Sequence, residues 1–208
     1  MAKFNSTTFG TISGRHGSAV AATTKDGQSI LRVYRAPANP KTEKQMIQRT
    51  KFGFVNKELS NYQTLFKSTF KNSNGRSQAV ALALANAVIG DYPNFAIDYS
   101  KLQIAAGRLD ITAQISIAKT TGSNVKIDWD NTVDGSDSSN EDNVNFVFIN
   151  TNSNVAILRE NQTIRSASSA TLELPAVWAG IELHCWIFFT APDGSVSSNS
   201  QYISLLSF

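Results

Sequence analysis

The chain has 208 residues, 41% of them apolar and 17% charged, with a formal net charge of +3, the composition of a globular protein of one large or two small domains. One cysteine, Cys185, and two histidines, His16 and His184, exclude an intrachain disulfide and a four-cysteine zinc site and leave little for a histidine-rich metal centre. No uninterrupted apolar run is long enough to span a bilayer, and no apolar leader follows Met1-Ala2-Lys3, so cytosolic synthesis without Sec export is the expectation.

Residues 1–18 are polar and punctuated by Gly10, Gly14 and Gly17, with Phe4, Phe9 and Ile12 as isolated anchors, which reads as an extended arm with turns. Ser13-Gly14-Arg15-His16-Gly17 lacks the spacing and the following helix of a phosphate-binding loop. Residues 19–35 read as a β-hairpin closed at Asp26-Gly27, whose second strand carries Arg32 and ends at Arg35. Pro37 and Pro40 each fix φ and lack an N–H, so the chain between them is expected to be extended. Thr42 and Gln45 form a capping-box pattern for a helix. Phe52, Val55, Leu59, Tyr62 and Phe66 then recur at spacings of three and four, one apolar stripe on that helix. Lys44, Arg49, Lys51 and Lys57 lie mostly off the stripe. They are either a solvated basic face or a face that docks on an acidic partner or nucleic acid.

Leu65, Phe66 and Phe70 predict a second helical segment within 60–76, and the alanine-rich run from Ser77 to Ile89 predicts a buried helix ending at Gly90. From residue 91 the pattern changes. Strand-like runs are Lys101–Ala105, Leu109–Ile117, Val125–Trp129, Val144–Ile149, Val155–Arg159, Ala170–Leu174, Glu182–Thr190 and Gln201–Leu206. They are separated by turn signals, the last being Asp193-Gly194, and they fit a two-sheet sandwich of immunoglobulin or fibronectin type with Trp129 and Trp186 in its core.

Gly10-x-Ile12-Ser13-Gly14-Arg15-x-Gly17, the hairpin, Asn39-Pro40-Lys41-Thr42-x-x-Gln45 and Arg49-x-Lys51-Phe52 follow one another in an order that resembles an uncharacterised bacterial family, a domain of unknown function. Short proteins of bacteriophage loci have a similar N-terminal pattern. The resemblance is specific over residues 10–54 and looser through Ile97-Asp98-Tyr99-Ser100 to the last strands, and it departs at Arg15, His16 and Ala21–Thr23. It implies an N-terminal hairpin-plus-helix region and a C-terminal β-sandwich, and it brings no catalytic residues.

Charge is divided unevenly. Residues 1–76 carry thirteen Lys/Arg against three Asp/Glu, and residues 77–208 carry six against thirteen. Such halves can pack within a chain or head to tail between chains, or the basic part can face nucleic acid. Asp128, Asp130, Asp134, Asp137, Glu141 and Asp142 cluster within fifteen residues but miss the calcium-loop spacing at Thr132 and Gly135, so they read as a solvated acidic loop. His184 and Cys185 are adjacent in a strand and point to opposite faces, so they cannot pair as base and thiol. Trp178, Trp186 and Phe188 are expected in a core; exposed together, they would be a sticky platform.

The expected class is therefore α+β: an arm, a β-hairpin and helices over 1–90, then an antiparallel sandwich over 91–208. The expected function is non-enzymatic, a structural or assembly protein with a homo-oligomeric or other protein partner, and with no cofactor, metal or membrane. A virion-like particle is its concrete form. The alternatives are a nucleic-acid-associated protein and a carbohydrate- or protein-binding module. The candidate interaction residues are Arg32, Arg35, Lys41, Lys44, Arg49 and Lys51 on the basic side and Asp130, Asp134, Asp137, Glu141 and Asp142 on the acidic side.

Overall fold

A computed structural model describes residues 2–4, 13–36, 38–70, 74–131, 133 and 137–207, with the backbone alone described at 2–4 and 204–207. The protein is α+β, with antiparallel sheets and a sandwich-like C-terminal region. It separates into two compact units, Met1–Thr42 and Glu43–Phe208.

The first unit is a four-stranded antiparallel sheet in the order β1-β4-β3-β2, from β1 (Ala2–Phe4), β2 (Gly14–His16), β3 (Ala19–Thr23) and β4 (Ser29–Val33). The hairpin expected at Asp26-Gly27 joins β3 to β4. Gly27 takes φ +75°, which a β-branched residue would resist, and its N–H donates to Thr24 O at 3.0 Å. The two β1 and β2 strands lie outside that hairpin reading, because three-residue strands carry too few side chains to show a period.

The second unit begins with α1 (Glu43–Glu58), directly after Thr42 where the capping pattern places it. A 3-10 turn at Leu59–Tyr62 leads into α2 (Gln63–Thr69), and α3 (Gly75–Asn86) follows. Val55, Leu59, Tyr62 and Phe66 of the predicted stripe are buried. Phe52 is not; it is 55% exposed. α3 ends before Val88, because Val88–Ile89 (β5) pairs with Ala96–Ile97 (β6) around Gly90 at φ +84°.

The sandwich consists of β7 (Ile115–Lys119), β8 (Asn124–Trp129), β9 (Asn143–Asn150), β10 (Val155–Ile164), β11 (Ser169–Glu173), β12 (Glu182–Thr190) and β13 (Gln201–Ser207). One sheet runs β10-β9-β12-β13 and the other β11-β8-β7. β11 returns to pair with β8 after β9 and β10 have joined the opposite sheet, a Greek-key path. The Asp193-Gly194 turn closes the β12–β13 hairpin, with the Gly194 N–H donating to Ala191 O at 2.8 Å.

β9 and β12 are nearly continuous apolar runs because both their faces are covered. Val147, Ile149, Trp186 and Phe188 pack with Val55, Leu59, Phe66, Ala79 and Ala83 of the helices. Phe146, Phe148, Cys185, Ile187 and Phe189 pack with Val125, Ile127, Trp129 and Leu172 of the second sheet. The helices thus share a core with the sandwich, and the chain divides at Thr42/Glu43 and not at residue 90 as the sequence suggested. Composition changes at 90, but packing does not.

One predicted strand is absent and another is shortened. Lys101–Ala105 is a 3-10 turn at Tyr99–Lys101 followed by irregular chain, and the Leu109–Ile117 run is regular only from Ile115. The N–H groups of the intervening residues are taken elsewhere: Ile104 donates to Ser200 Oγ at 2.8 Å, Leu109 to Ser197 O at 3.1 Å, Asp110 to Ser138 Oγ at 2.7 Å and Thr112 to Gln201 Oε1 at 2.9 Å. With these donors taken by side chains or by the isolated Leu109–Ser198 bridge, the residues form no continuous ladder, and Ile111, which the alternation placed inward, is 48% exposed.

Candidate interaction site

The basic candidates lie on one continuous length of chain. Arg32 is on β4 and Arg35 just beyond it, Lys41 follows Pro40, and Lys44 and Arg49 are on the first half of α1; all are exposed. Lys51 differs. It is half-buried, and its Nζ donates to Leu84 O at 3.1 Å, so it ties α1 to α3 and does not belong to a free basic face. From Leu31 to Phe54, among the described residues, no side chain is buried. The run exposes Leu31, Val33, Tyr34, Met46 and Phe52, with Val33 at 73%. Only toward its end does the run reach the helix-side core, where Phe54 packs against it and Lys51 bonds α3; an exposed apolar and basic stretch of this length is unusual in a folded chain.

Pairing sorts the first sheet into two faces. Arg15↔Val20↔Arg32 and Ala22↔Ile30 share one face. There Arg15 Cζ sits 3.9 Å from the centroid of the Tyr34 ring, a cation–π contact. Val20, Ala22, Ile30 and Arg32 line a small apolar depression on this face. The other face carries Ala19, Ala21, Leu31 and Val33. Of the unit's described residues only Ala21 and Ser29 are buried.

The acidic candidates do not form one loop surface. Asp130 and Glu141 are exposed. Asp137 pairs with Arg108 at 3.2 Å, and Asp134 lies outside the described residues. Asp142 is 1% exposed and is withdrawn from the surface altogether. Its Oδ2 lies 3.5 Å from Nε of Arg165, a fully buried arginine, and accepts from Ser139 N at 2.9 Å. Arg165 also donates to Asp110 O at 2.7 Å and lays its guanidinium 3.8 Å from the Phe189 ring centroid. The backbone O of Arg165 accepts from Trp129 Nε1 at 2.9 Å. Burial pulls the Arg165 pKa down, against the pull of Asp142 and Asp110. This pair holds the β10–β11 connection onto the core. The sequence offered no sign of it, because an arginine in a polar turn looks like any surface arginine.

His184 and Cys185 separate as expected. Cys185 is wholly buried with Leu183 and Ile187, and burial pushes its thiol pKa well up, so it is no nucleophile. His184 stacks on Tyr99 with ring centroids 4.4 Å apart, and its Nδ1 lies 2.9 Å from Tyr202 Oη. Trp178, Trp186 and Phe188 are core residues, so there is no aromatic platform.

A feature that pattern reading missed lies at one end of the β10-β9-β12 sheet. A polar cavity of about 270 Å³ is lined by Asn143, Asn145, Glu160, Asn161, Phe188 and Asp193 among others. It exists because β10 bulges between Arg159 and Thr163, with Asn161 at φ +50°. Asn145, buried in the middle of the sheet, holds the bulge: its Oδ1 accepts from Asn161 N at 2.9 Å and its Nδ2 donates to Thr190 Oγ1 at 3.0 Å. Asp193 Oδ1 accepts from Ser195 N and Oγ at 2.9 and 2.7 Å, which keeps the Asp193 carboxyl below its usual pKa. An alternating asparagine within an apolar run was the available sign.

A family model matches residues 11–204, nearly the whole of both units. The chain belongs to a family of unknown function, DUF6266. No curated protein matches the chain. Among the described residues, no helix of this DUF6266 protein is long and apolar enough to cross a membrane, and no cluster of three metal-ligating side chains occurs.

Proposed function

We propose that this DUF6266 protein is a non-catalytic assembly module that docks its basic N-terminal region onto an acidic surface of a neighbouring copy. The single observation that carries this reading is the run from Leu31 to Phe54, in which no described side chain is buried and five exposed Lys/Arg stand against one acidic residue, Glu43. Residues 1–42 hold six Lys/Arg against one Asp, and residues 43–208 hold thirteen against fifteen Asp/Glu, so a copy offers both signs of charge. Head-to-tail contact of unlike surfaces builds rings or filaments. A component of a virion-like particle is the concrete form. Of the described acidic candidates, Asp130, Asp137 and Glu141 are exposed, Asp137 beside Arg108.

Size-exclusion chromatography with light scattering at about 50 mM and about 500 mM salt tests this, since that range screens exposed charge pairs. The expected result is an assembly that shrinks at high salt and is lost in Arg32→Glu/Arg49→Glu. A monomer under both conditions at high protein concentration refutes it. A second reading, nucleic-acid association, is favoured by Arg15, Arg32 and Tyr34 on one sheet face. A gel-shift assay at low salt, where phosphate contacts are strongest, decides it: no shift removes that reading.

A further inference from the structure

We propose that the cavity at the β10 bulge is a binding site for an organic cation, a guanidinium or primary ammonium group. Its geometry is built and not incidental. The bulge that opens it is held by Asn145, 2% exposed, through bonds to both neighbouring strands. A buried asparagine within the apolar strands β9 and β12 costs stability unless every bond is made, and these bonds are spent on the cavity wall. The volume, about 270 Å³, suits one small head group and not a drug-sized ligand.

The chemistry of the lining selects the class. Glu160 and Asp193 bring two carboxyl groups, and among the described lining residues none is Lys, Arg or His. Asn143 and Asn161 add amide groups to the lining, and Phe188 forms part of the wall. Carboxylates and carbonyl-type acceptors without a competing cation match the N–H donors of a guanidinium or ammonium. A neutral sugar would find acceptors but no aromatic face to stack on, since Phe188 is only 2% exposed. The site stands apart from the assembly reading, because it concerns any group of this chemistry. Its occupant is either a free cationic metabolite or an arginine or lysine side chain of a second copy.

The test uses the full chain and calorimetric titration with argininamide, and with glucose as the neutral probe. Saturable argininamide binding near about 1 mM, weakened about tenfold by Glu160→Gln, is expected. Asp193→Asn is the second variant; its amide oxygen still accepts from Ser195, so the turn survives while the charge is lost. Glu160 is exposed, so Glu160→Gln keeps the fold, which circular dichroism checks. No saturable heat up to about 50 mM, equal binding of glucose, or affinity unchanged in both variants overturns the proposal. Light scattering of Glu160→Lys separates the two sources once binding is found. Loss of self-association assigns the pocket to a side chain of a second copy, and retained self-association assigns it to a free cation. A monomeric wild type that still binds argininamide would overturn the assembly reading and leave this one standing.

Discussion

Replacing Asp142 by Ala should be among the most damaging single changes in the protein. The carboxylate is the counter-charge of a guanidinium that has no solvent exposure. Without it Arg165 keeps the carbonyl of Asp110, the weaker pull of the Asp110 carboxylate and the Phe189 ring, but loses the larger of these two carboxylate attractions, and Ser139 N loses its acceptor. Removing one partner of a buried pair costs about 3–5 kcal/mol, against a total of about 5–15 kcal/mol for a folded domain. In urea, with a slope of about 2 kcal/mol/M, the midpoint should fall by about 2 M. Tryptophan fluorescence is the assay, because Trp129, Trp178 and Trp186 are all buried in the Glu43–Phe208 unit and Trp129 is bonded to Arg165 itself. Asp142→Leu/Arg165→Met removes both charges together. Its cost should be only about 1–3 kcal/mol, from the Asp110 carbonyl and the Ser139 N–H that lose their side-chain partners, since the backbone bonds of Arg165 N to Asp142 O and of Trp129 to Arg165 O survive. If Asp142→Ala costs less than about 1 kcal/mol, or the double variant loses the sum of its singles, the pair is not coupled as argued.

Three further outcomes follow from single groups. Desolvation lowers the folded-state pKa of His184 below its ordinary value, so the fold favours the neutral ring. That stability is fully present above the unfolded pKa of about 6.5 and is lost as pH falls through the folded pKa. Thermal melts between pH 8 and pH 5 should show a steeper decline in the wild type than in His184→Gln, and identical slopes would contradict this. Cys185, fully buried with its thiol pKa raised, should not react with a disulfide reagent in the native protein and should react at once in denaturant; a fast native reaction would place it at the surface. At Gly107 an added Cβ would fall on the backbone O of Ser197, whereas at Gly53 it meets open space. Gly107→Ala should therefore lower stability by about 2 kcal/mol in a urea melt while Gly53→Ala, mid-helix in α1, should raise it slightly; equal effects would show that the close approach is easily relaxed.

Legibility in the sequence followed how many levels of pattern agreed. β12 was readable to the residue, since Glu182–Thr190 is one apolar run between turns. The first half of α1 had a cap pattern but no buried stripe, and Phe52 was misplaced because helical period says which residues share a face, not where burial begins. The chain from 101 to 112 defeated pattern reading for a different reason. Its apolar residues alternate as a strand would, yet its N–H groups are claimed by Ser138, Ser197, Ser200 and Gln201, partners some thirty to ninety positions away. Such tertiary override is invisible locally. The acidic cluster failed likewise: six acids in a row of polar residues look equivalent, and only the fold withdraws Asp142 to meet Arg165.

The way the two cores divide the second unit bears on where partners can bind. The β10-β9-β12-β13 sheet is covered by helices on one face and by the second sheet on the other. Both are apolar and closed, so neither face is available. The outer face of the β11-β8-β7 sheet carries Lys126 and Asp128, an exposed pair at 2.8 Å that is already self-satisfied. Two surfaces that stay open are the polar cavity where β10 bulges and the exposed length from Leu31 to Phe52. One is acidic and concave, the other basic and exposed. Exposed apolar and cationic groups on one length of chain are what the proposed assembly would cover, and the cavity is a separate site whose occupant the argininamide titration decides.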